Sequence, residues 1–251
     1  MGRVIVLGSS GAVPSEKQDT THLLVHEGDR TVLVDCGNNP IVRIKQAGIP
    51  LNSITDIVLT HFHPDHVSGF SMLLMGMWLL GRDTPITVHG LESTISRAKK
   101  MMELFEWNNW PNFYPVFFHR LPEEEMSVVF EAKRLRVYSS PVKHLIPTIG
   151  LRFEFPGLNK VMAYSCDTEP CAQVGRLAAG ADILFHEASG ESVGHSSAEQ
   201  AGNIAKNAGV KTLYLIHYYP DNNPEDLRLA AKSAFEGQVE IARDLMDVPV
   251  E

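Results

Sequence analysis

The sequence predicts an α/β (α+β) chain whose strands pack between helices on both outer faces. Two observations carry this reading. The first sixty residues break into short apolar runs separated by turn residues, and the last third alternates segments of helical and strand period. The length suffices for one large core, and residues 1–251 are read as a single domain. Hydrophobic residues make up 44% of the chain and charged ones 21%, which excludes a disordered or low-complexity protein.

Taken in order, strands are expected over 3–7, 22–25, 31–35 and 54–60, with a short helix near 41–47. Gly8, Gly11, Pro14, Gly28, Gly37 and Pro50 supply the turns. Helices are expected over 68–80 and 92–105, then strands over 135–138, 149–155 and 161–165. Beyond these the pattern alternates: helix 170–179, strand 183–186, helix 198–208, strand 212–217, helix 224–235, and closing strands at 239–242 and 246–248. Ser196 with Glu199 predicts a capping box for the 198–208 helix, and Asn223-Pro224 an N-cap followed by proline at the first helical position.

Lys and Arg total 22 against 30 Asp and Glu, so the net charge is 22 − 30 = −8, which argues against a broad basic surface for nucleic acid. Cys36, Cys166 and Cys171 form no disulfide framework, which fits a reducing, cytoplasmic setting. The opening Met-Gly-Arg-Val runs directly into a strand pattern without a charged n-region, so export is not expected. The longest apolar stretch, residues 70–80, is too short to cross a bilayer, so no membrane partner is expected.

The densest chemistry lies in Thr60-His61-Phe62-His63-Pro64-Asp65-His66. Packing gives no reason to crowd imidazoles in this way. Residues two apart on an extended segment share a side, so His61 and His63 can reach one ion together. Asp65 and His66, beyond the turn at Pro64, are free to face a second position. One loop cannot complete two coordination shells, and His144, Asp167 and His217, each at an expected strand end, supply further donors.

These residues match a pattern. The His61–His66 segment, with His144, Asp167 and His217, resembles the metallo-β-lactamase superfamily, and within it the ribonuclease Z-like branch. Leu7–Pro14, Val34-Asp35-Cys36-Gly37, His186-Glu187-Ala188-Ser189 and Gly194-His195-Ser196-Ser197 resemble further motifs of that branch, so the resemblance covers nearly the whole chain. It implies a four-layer αββα sandwich with a dinuclear site between the sheets. By the same resemblance His61, His63 and His144 hold one ion, Asp65, His66 and His217 the other, and Asp167 bridges both. His195 is then a transition-state stabiliser or proton donor, and Asp65 helps orient the nucleophile. Imidazole and carboxylate donors suit two divalent ions, Zn²⁺ first and Mn²⁺ or Fe²⁺ as alternatives. A hydroxide bridging two such ions is the nucleophile this chemistry provides.

Other residues read differently. His186 and Glu187 are expected to orient ligands or His195, while Asp35 and His22 are structural, the former an acceptor for a ligand. His26, His89 and His119 carry no motif. Cys166 stands where the branch has glycine; a zinc site shared with Cys171 is the weaker alternative to reduced thiols. Met72, Met75, Met77 and Trp78 read equally as core packing or as the homodimer interface that the resemblance implies. The run Trp107–Tyr114 reads as a strand and turn or as a pocket wall.

Fold and metals do not choose a substrate. The branch motifs favour a phosphodiester. tRNA-processing members carry a long arm between the positions of His144 and Asp167, which here are separated by only 23 positions, and Gln18 replaces a common arginine. The expected activity is therefore a metal-dependent phosphodiesterase acting on a small phosphodiester or cyclic nucleotide. tRNA 3′ processing, hydrolysis of an aryl sulfate or lactone, and metal-containing ligand binding without catalysis are the alternatives.

Overall fold

The computed structural model describes residues 2–251. Two mixed seven-stranded sheets face each other. The first runs in the order β14-β1-β2-β3-β4-β5-β6 and the second β13-β12-β11-β10-β9-β8-β7. The first sheet comprises β1 (Gly2–Gly8), β2 (His22–Glu27), β3 (Arg30–Val34), β4 (Asp56–Val58), β5 (Ile86–Leu91), β6 (Val116–Leu121) and β14 (Met246–Val250). The second comprises β7 (Ser127–Glu131), β8 (Arg136–Val142), β9 (Thr148–Phe155), β10 (Lys160–Tyr164), β11 (Ile183–Glu187), β12 (Thr212–Ile216) and β13 (Gln238–Ile241).

Alternation along the strands builds the layers. Val4 and Val6 of β1, with Val32 and Val34 of β3, enter a core between the sheets that also takes Phe153, Phe155 and Phe185. Ile5, Leu7 and Leu33, pointing the other way, pack under helices α1 (Pro40–Gln46), α3 (Phe70–Leu79) and α4 (Glu92–Leu104). Leu184, Leu213 and Leu215 do the same under α5 (Ala172–Leu177), α6 (Ala198–Ala208) and α7 (Pro224–Ala234). Strands buried on both faces read as continuous apolar runs, which is why β1, β3 and β12 stand out in sequence. The result is the αββα sandwich. Among the described residues no helix is long and apolar enough to cross a membrane.

Some expectations are corrected. The strand expected over 54–60 is only β4, because a 3₁₀ turn at Leu51–Ser53 precedes it and the site loop comes directly after. Asp65 and His66 sit on a separate short helix, α2 (Pro64–Val67), which ends before Gly69. The capping box belongs to Ser197 and Gln200 rather than Ser196 and Glu199. Ser196 is one residue too early, and its hydroxyl instead donates to Thr168 O at 2.6 Å. Asn223 caps α7 as expected, accepting from Glu225 N.

The aromatic run is neither a strand nor a wall of the candidate site. Trp107–Asn109 forms a 3₁₀ turn, Trp110 stacks on Trp78 with centroids 5.1 Å apart, and Tyr114 Oη donates to Leu74 O at 3.0 Å. Of the methionines read with Trp78, Met77 is fully buried while Met72 is exposed.

A polar cluster lies inside the first sheet, away from the strand-end loops. Asp56, at the start of β4, accepts from His89 Nε2 at 2.9 Å and from Arg30 Nη1 at 3.0 Å. Burial opposes ionisation of Asp56, but the His89, Thr55 and Arg30 contacts outweigh it and depress its pKa. A depressed carboxylate pKa contributes stability above the unfolded value, near 4, and loses it as pH falls through the folded value. Asp56→Asn should therefore cost about 3 kcal/mol at pH 7 in urea unfolding, and the difference from wild type should shrink below about pH 4. A difference independent of pH would contradict this assignment.

Candidate metal centre

Both sheets contain a parallel stretch, β3 to β6 and β10 to β13, and the site is assembled beyond the carboxyl ends of these strands. Asp35 follows β3, the His61–His66 segment follows β4, Asp167 follows β10 and His217 follows β12. Three of the residues that turn the chain out of these strands, Asp35, Cys166 and His217, adopt left-handed backbone with φ of 63°, 54° and 54°. Such strain persists where the surrounding structure over-determines it, as at functional sites. Glycine fits the left-handed region without cost, and Cys166 takes its place here with a fully buried side chain.

The structure brings all seven candidate ligands together, in two groups. His63 Nδ1 lies 3.1 Å from both His61 Nε2 and His144 Nε2. In the second group Asp65 Oδ2 is 3.4 Å from His66 Nε2 and from His217 Nε2, while Asp167 Oδ1 is 3.5 Å and 3.4 Å from the same atoms. Asp167 Oδ2 faces the first group, 3.9 Å from His61 Nε2 and His144 Nε2. Donors about 2.0–2.1 Å from a tetrahedral ion stand about 3.3 Å from one another, so both sets have the spacing of a coordination shell.

Contacts on the far side of four rings, His61, His66, His144 and His217, fix where the ligating nitrogen points. Asp35 accepts from His66 Nδ1 at 2.8 Å and is held in turn by Thr60 N and Oγ1. His144 Nδ1 donates to Gly194 O at 2.7 Å, and His217 Nδ1 lies 2.9 Å from Ser189 Oγ. His61 Nδ1 faces Thr60 Oγ1 at 3.1 Å and Cys166 Sγ at 3.6 Å. Sequence reasoning misses the Ser189 and Gly194 contacts, since both are long-range and neither has a local signal. No metal-capable group among the described residues joins Cys166 to Cys171.

The donor set fits a pair of cations. His66 Nε2 and Asp167 Oδ1 are buried without a hydrogen-bond partner among the described residues, an arrangement that is costly unless an ion lies between them. Burial pushes His61, His63 and His144 toward the neutral imidazole that a metal requires. Burial works the same way on His66 and His217, but there the carboxylates win, Asp167 foremost, and raise both. Asp65 and Asp167 are held far below the usual carboxylate range despite burial, by His217 and His66. Cations would replace the protons that these carboxylates otherwise draw onto the imidazoles.

His195 stands beside both groups, its ring centroid 5.0 Å from that of His144 and 5.9 Å from that of His217. Its Nδ1 donates to Glu187 Oε1 at 2.9 Å, and this bond raises its pKa. Glu187 is locked by Thr168 N and Ser189 N, so the ring has one tautomer and one direction. A cavity of about 240 Å³ opens over the site, lined by His63, Asp65, Asp167, His195 and His217, with Ala12, Ser189 and Tyr219 at its walls.

Residues 3–241 match the family described as Anti-Pycsar protein Apyc1. The chain belongs to this family. It is 32% identical to the ribonuclease Z of Mycobacterium sp. (strain KMS), over 100% of this chain and 96% of that one. Its fold is similar to the crystal structure of the metallo-β-lactamase fold protein YhfI from Bacillus subtilis, with a TM-score of 0.83, 21% identity and 98% of each chain covered. Human tRNase Z, short form, aligns with a TM-score of 0.81 at 21% identity over 99% of each chain. This Apyc1-family chain is thus a metal-dependent hydrolase of the metallo-β-lactamase fold, related to ribonuclease Z.

Proposed function

We propose that this chain hydrolyses a small phosphodiester, with a cyclic nucleotide as the favoured substrate class. The observation that carries the reading is the cavity itself: about 240 Å³, with no lysine or arginine among the described residues that line it. A polyanion such as tRNA is held by many cationic contacts, whereas a single phosphodiester charge can be met at the metal centre alone. The segment between His144 and Asp167 supports the same choice. It is consumed by the β9–β10 hairpin, paired from Lys160 with Phe155 to Tyr164 with Leu151, and has no residues to spare for an arm. The acidic net charge of −8 points the same way.

His61, His63 and His144 would hold one divalent ion, Zn²⁺ by donor chemistry, and Asp65, His66 and His217 the other, with Asp167 between them. Bound there, the ions would supply Lewis acidity toward a phosphoryl oxygen and make water nucleophilic at neutral pH. The protein's own groups do the rest. Asp65, ionised and facing the cavity, accepts a hydrogen bond from the attacking water and orients it. His195, whose hydrogen bond to Glu187 favours the protonated ring, donates from that form toward the phosphoryl or leaving oxygen and offsets its developing charge. Asp35, Ser189 and Gly194 keep the imidazoles aimed.

tRNA 3′ processing is the second reading, favoured by the ribonuclease Z relative at 32% identity. A panel of bis-aryl phosphate, 3′,5′-cyclic nucleotides, precursor tRNA, aryl sulfate and acyl lactone separates the readings on the metal-loaded protein. The expected order places the small phosphodiesters first, precursor tRNA behind them, and sulfate and lactone last; preferred turnover of precursor tRNA would favour the second reading, and of sulfate or lactone would overturn the phosphodiester choice.

A further inference from the structure

We propose that Glu169 is a positioning residue that holds the His195 loop in register with the metal ligands through the backbone of Gly194. The proposal rests on the reading of His195 as proton donor. Glu169 Oε1 accepts from Gly194 N at 3.0 Å, while Gly194 O accepts from His144 Nδ1 at 2.7 Å. The backbone that presents His195 is therefore held at one end by a carboxylate two residues beyond Asp167, and at the other by a candidate ligand ring.

Only glycine permits this approach. Gly194 has φ +85°, and a Cβ there would fall 2.9 Å from His144 Nδ1. Glu169 is itself fastened to the strand-end segment that carries His144. Its Oε2 pairs with Lys143 Nζ at 2.5 Å, and its N–H donates to Lys143 O at 2.7 Å.

Packing does not fix the loop. Glu191, Ser192 and Val193 are exposed, Val193 at 74%, so hydrogen bonds decide where the loop stands. Beside the His144 ring on Gly194 O, three further side-chain contacts act here, with different jobs. Glu187 selects the tautomer of the His195 ring, Ser196 Oγ anchors the following residue on Thr168 O, and Glu169 sets the preceding peptide. Glu169 thus links three segments that each carry a site residue, His144, Asp167 and His195.

The test is a mutant cycle on the metal-loaded enzyme with a cyclic nucleotide or bis-aryl phosphate, whichever is turned over. Glu169→Ala should lower kcat about 10-fold with KM and metal content unchanged, the size of effect expected when support for a site residue is lost. Glu169→Gln, whose amide oxygen still accepts from Gly194 N, should recover most of it. In a His195→Ala background Glu169→Ala should have no further effect, because the group it positions is gone. Full kcat in Glu169→Ala, the same loss in both backgrounds, or loss of metal would each overturn the proposal. Full kcat in His195→Ala alone would instead overturn the proton-donor reading, and this inference with it.

Discussion

Replacing Asp167 with alanine should abolish turnover, lowering kcat/KM by at least about 1,000-fold, or about 4 kcal/mol of transition-state stabilisation. It should also lower bound metal from two ions per chain to one or none, measured by elemental analysis after gel filtration. Asp167 is the one carboxylate among the described residues that faces both groups of donors, Oδ1 toward His66 and His217 and Oδ2 toward His61 and His144. The fold should survive, because the side chain contributes no apolar packing and its removal ends the burial of an unpartnered oxygen. Retention of two ions and activity would mean that the two groups of donors are not one centre.

His195→Ala should separate catalysis from metal binding. Its kcat is expected to fall by about 10²–10⁴-fold, the usual contribution of a positioned acid, while metal content stays at the wild-type value. Loss of metal would show that the ring is a ligand instead. A pH profile adds the direction. Glu187 raises the His195 pKa, so the protonated donor persists to higher pH than a free imidazole allows, and the alkaline limb of kcat reports its loss. Glu187→Gln replaces the carboxyl acceptor with an amide and should move that limb to lower pH; an unchanged limb would assign it to another group.

Much of the site is legible in the chain because it is built at strand ends. The run Ile57-Val58-Leu59 announces β4, and residues just beyond a buried parallel strand point into the crevice, so His61, His63, Asp65 and His66 can be grouped from the sequence alone. The same logic locates Asp167 after β10 and His217 after β12. β5, β6 and β7 are not legible. His89 and Gly90 interrupt the apolar pattern of β5, and β6 leaves Phe117 exposed. Sequence misplaces the capping residue by one, since nothing local shows that Ser196 is drawn to Thr168, 28 positions away. The contacts of Glu169 with Gly194 and of Ser189 with His217 are likewise products of folding, and no spacing in the sequence encodes them. The aromatic run misleads because its residues suit a pocket wall, whereas Trp78 on α3 gives them a partner on the outer face.

The proposed two-metal centre, under a small cavity without lysine or arginine in its lining, should serve a small phosphodiester better than a polyanion. The decisive quantity is the ratio of kcat/KM for a 3′,5′-cyclic nucleotide to that for precursor tRNA, on one metal-loaded preparation at one salt concentration. A ratio well above one is expected, with the cyclic nucleotide activity lost on chelation and restored by Zn²⁺ or Mn²⁺. Efficient 3′ cleavage of precursor tRNA with no turnover of cyclic nucleotide would contradict it.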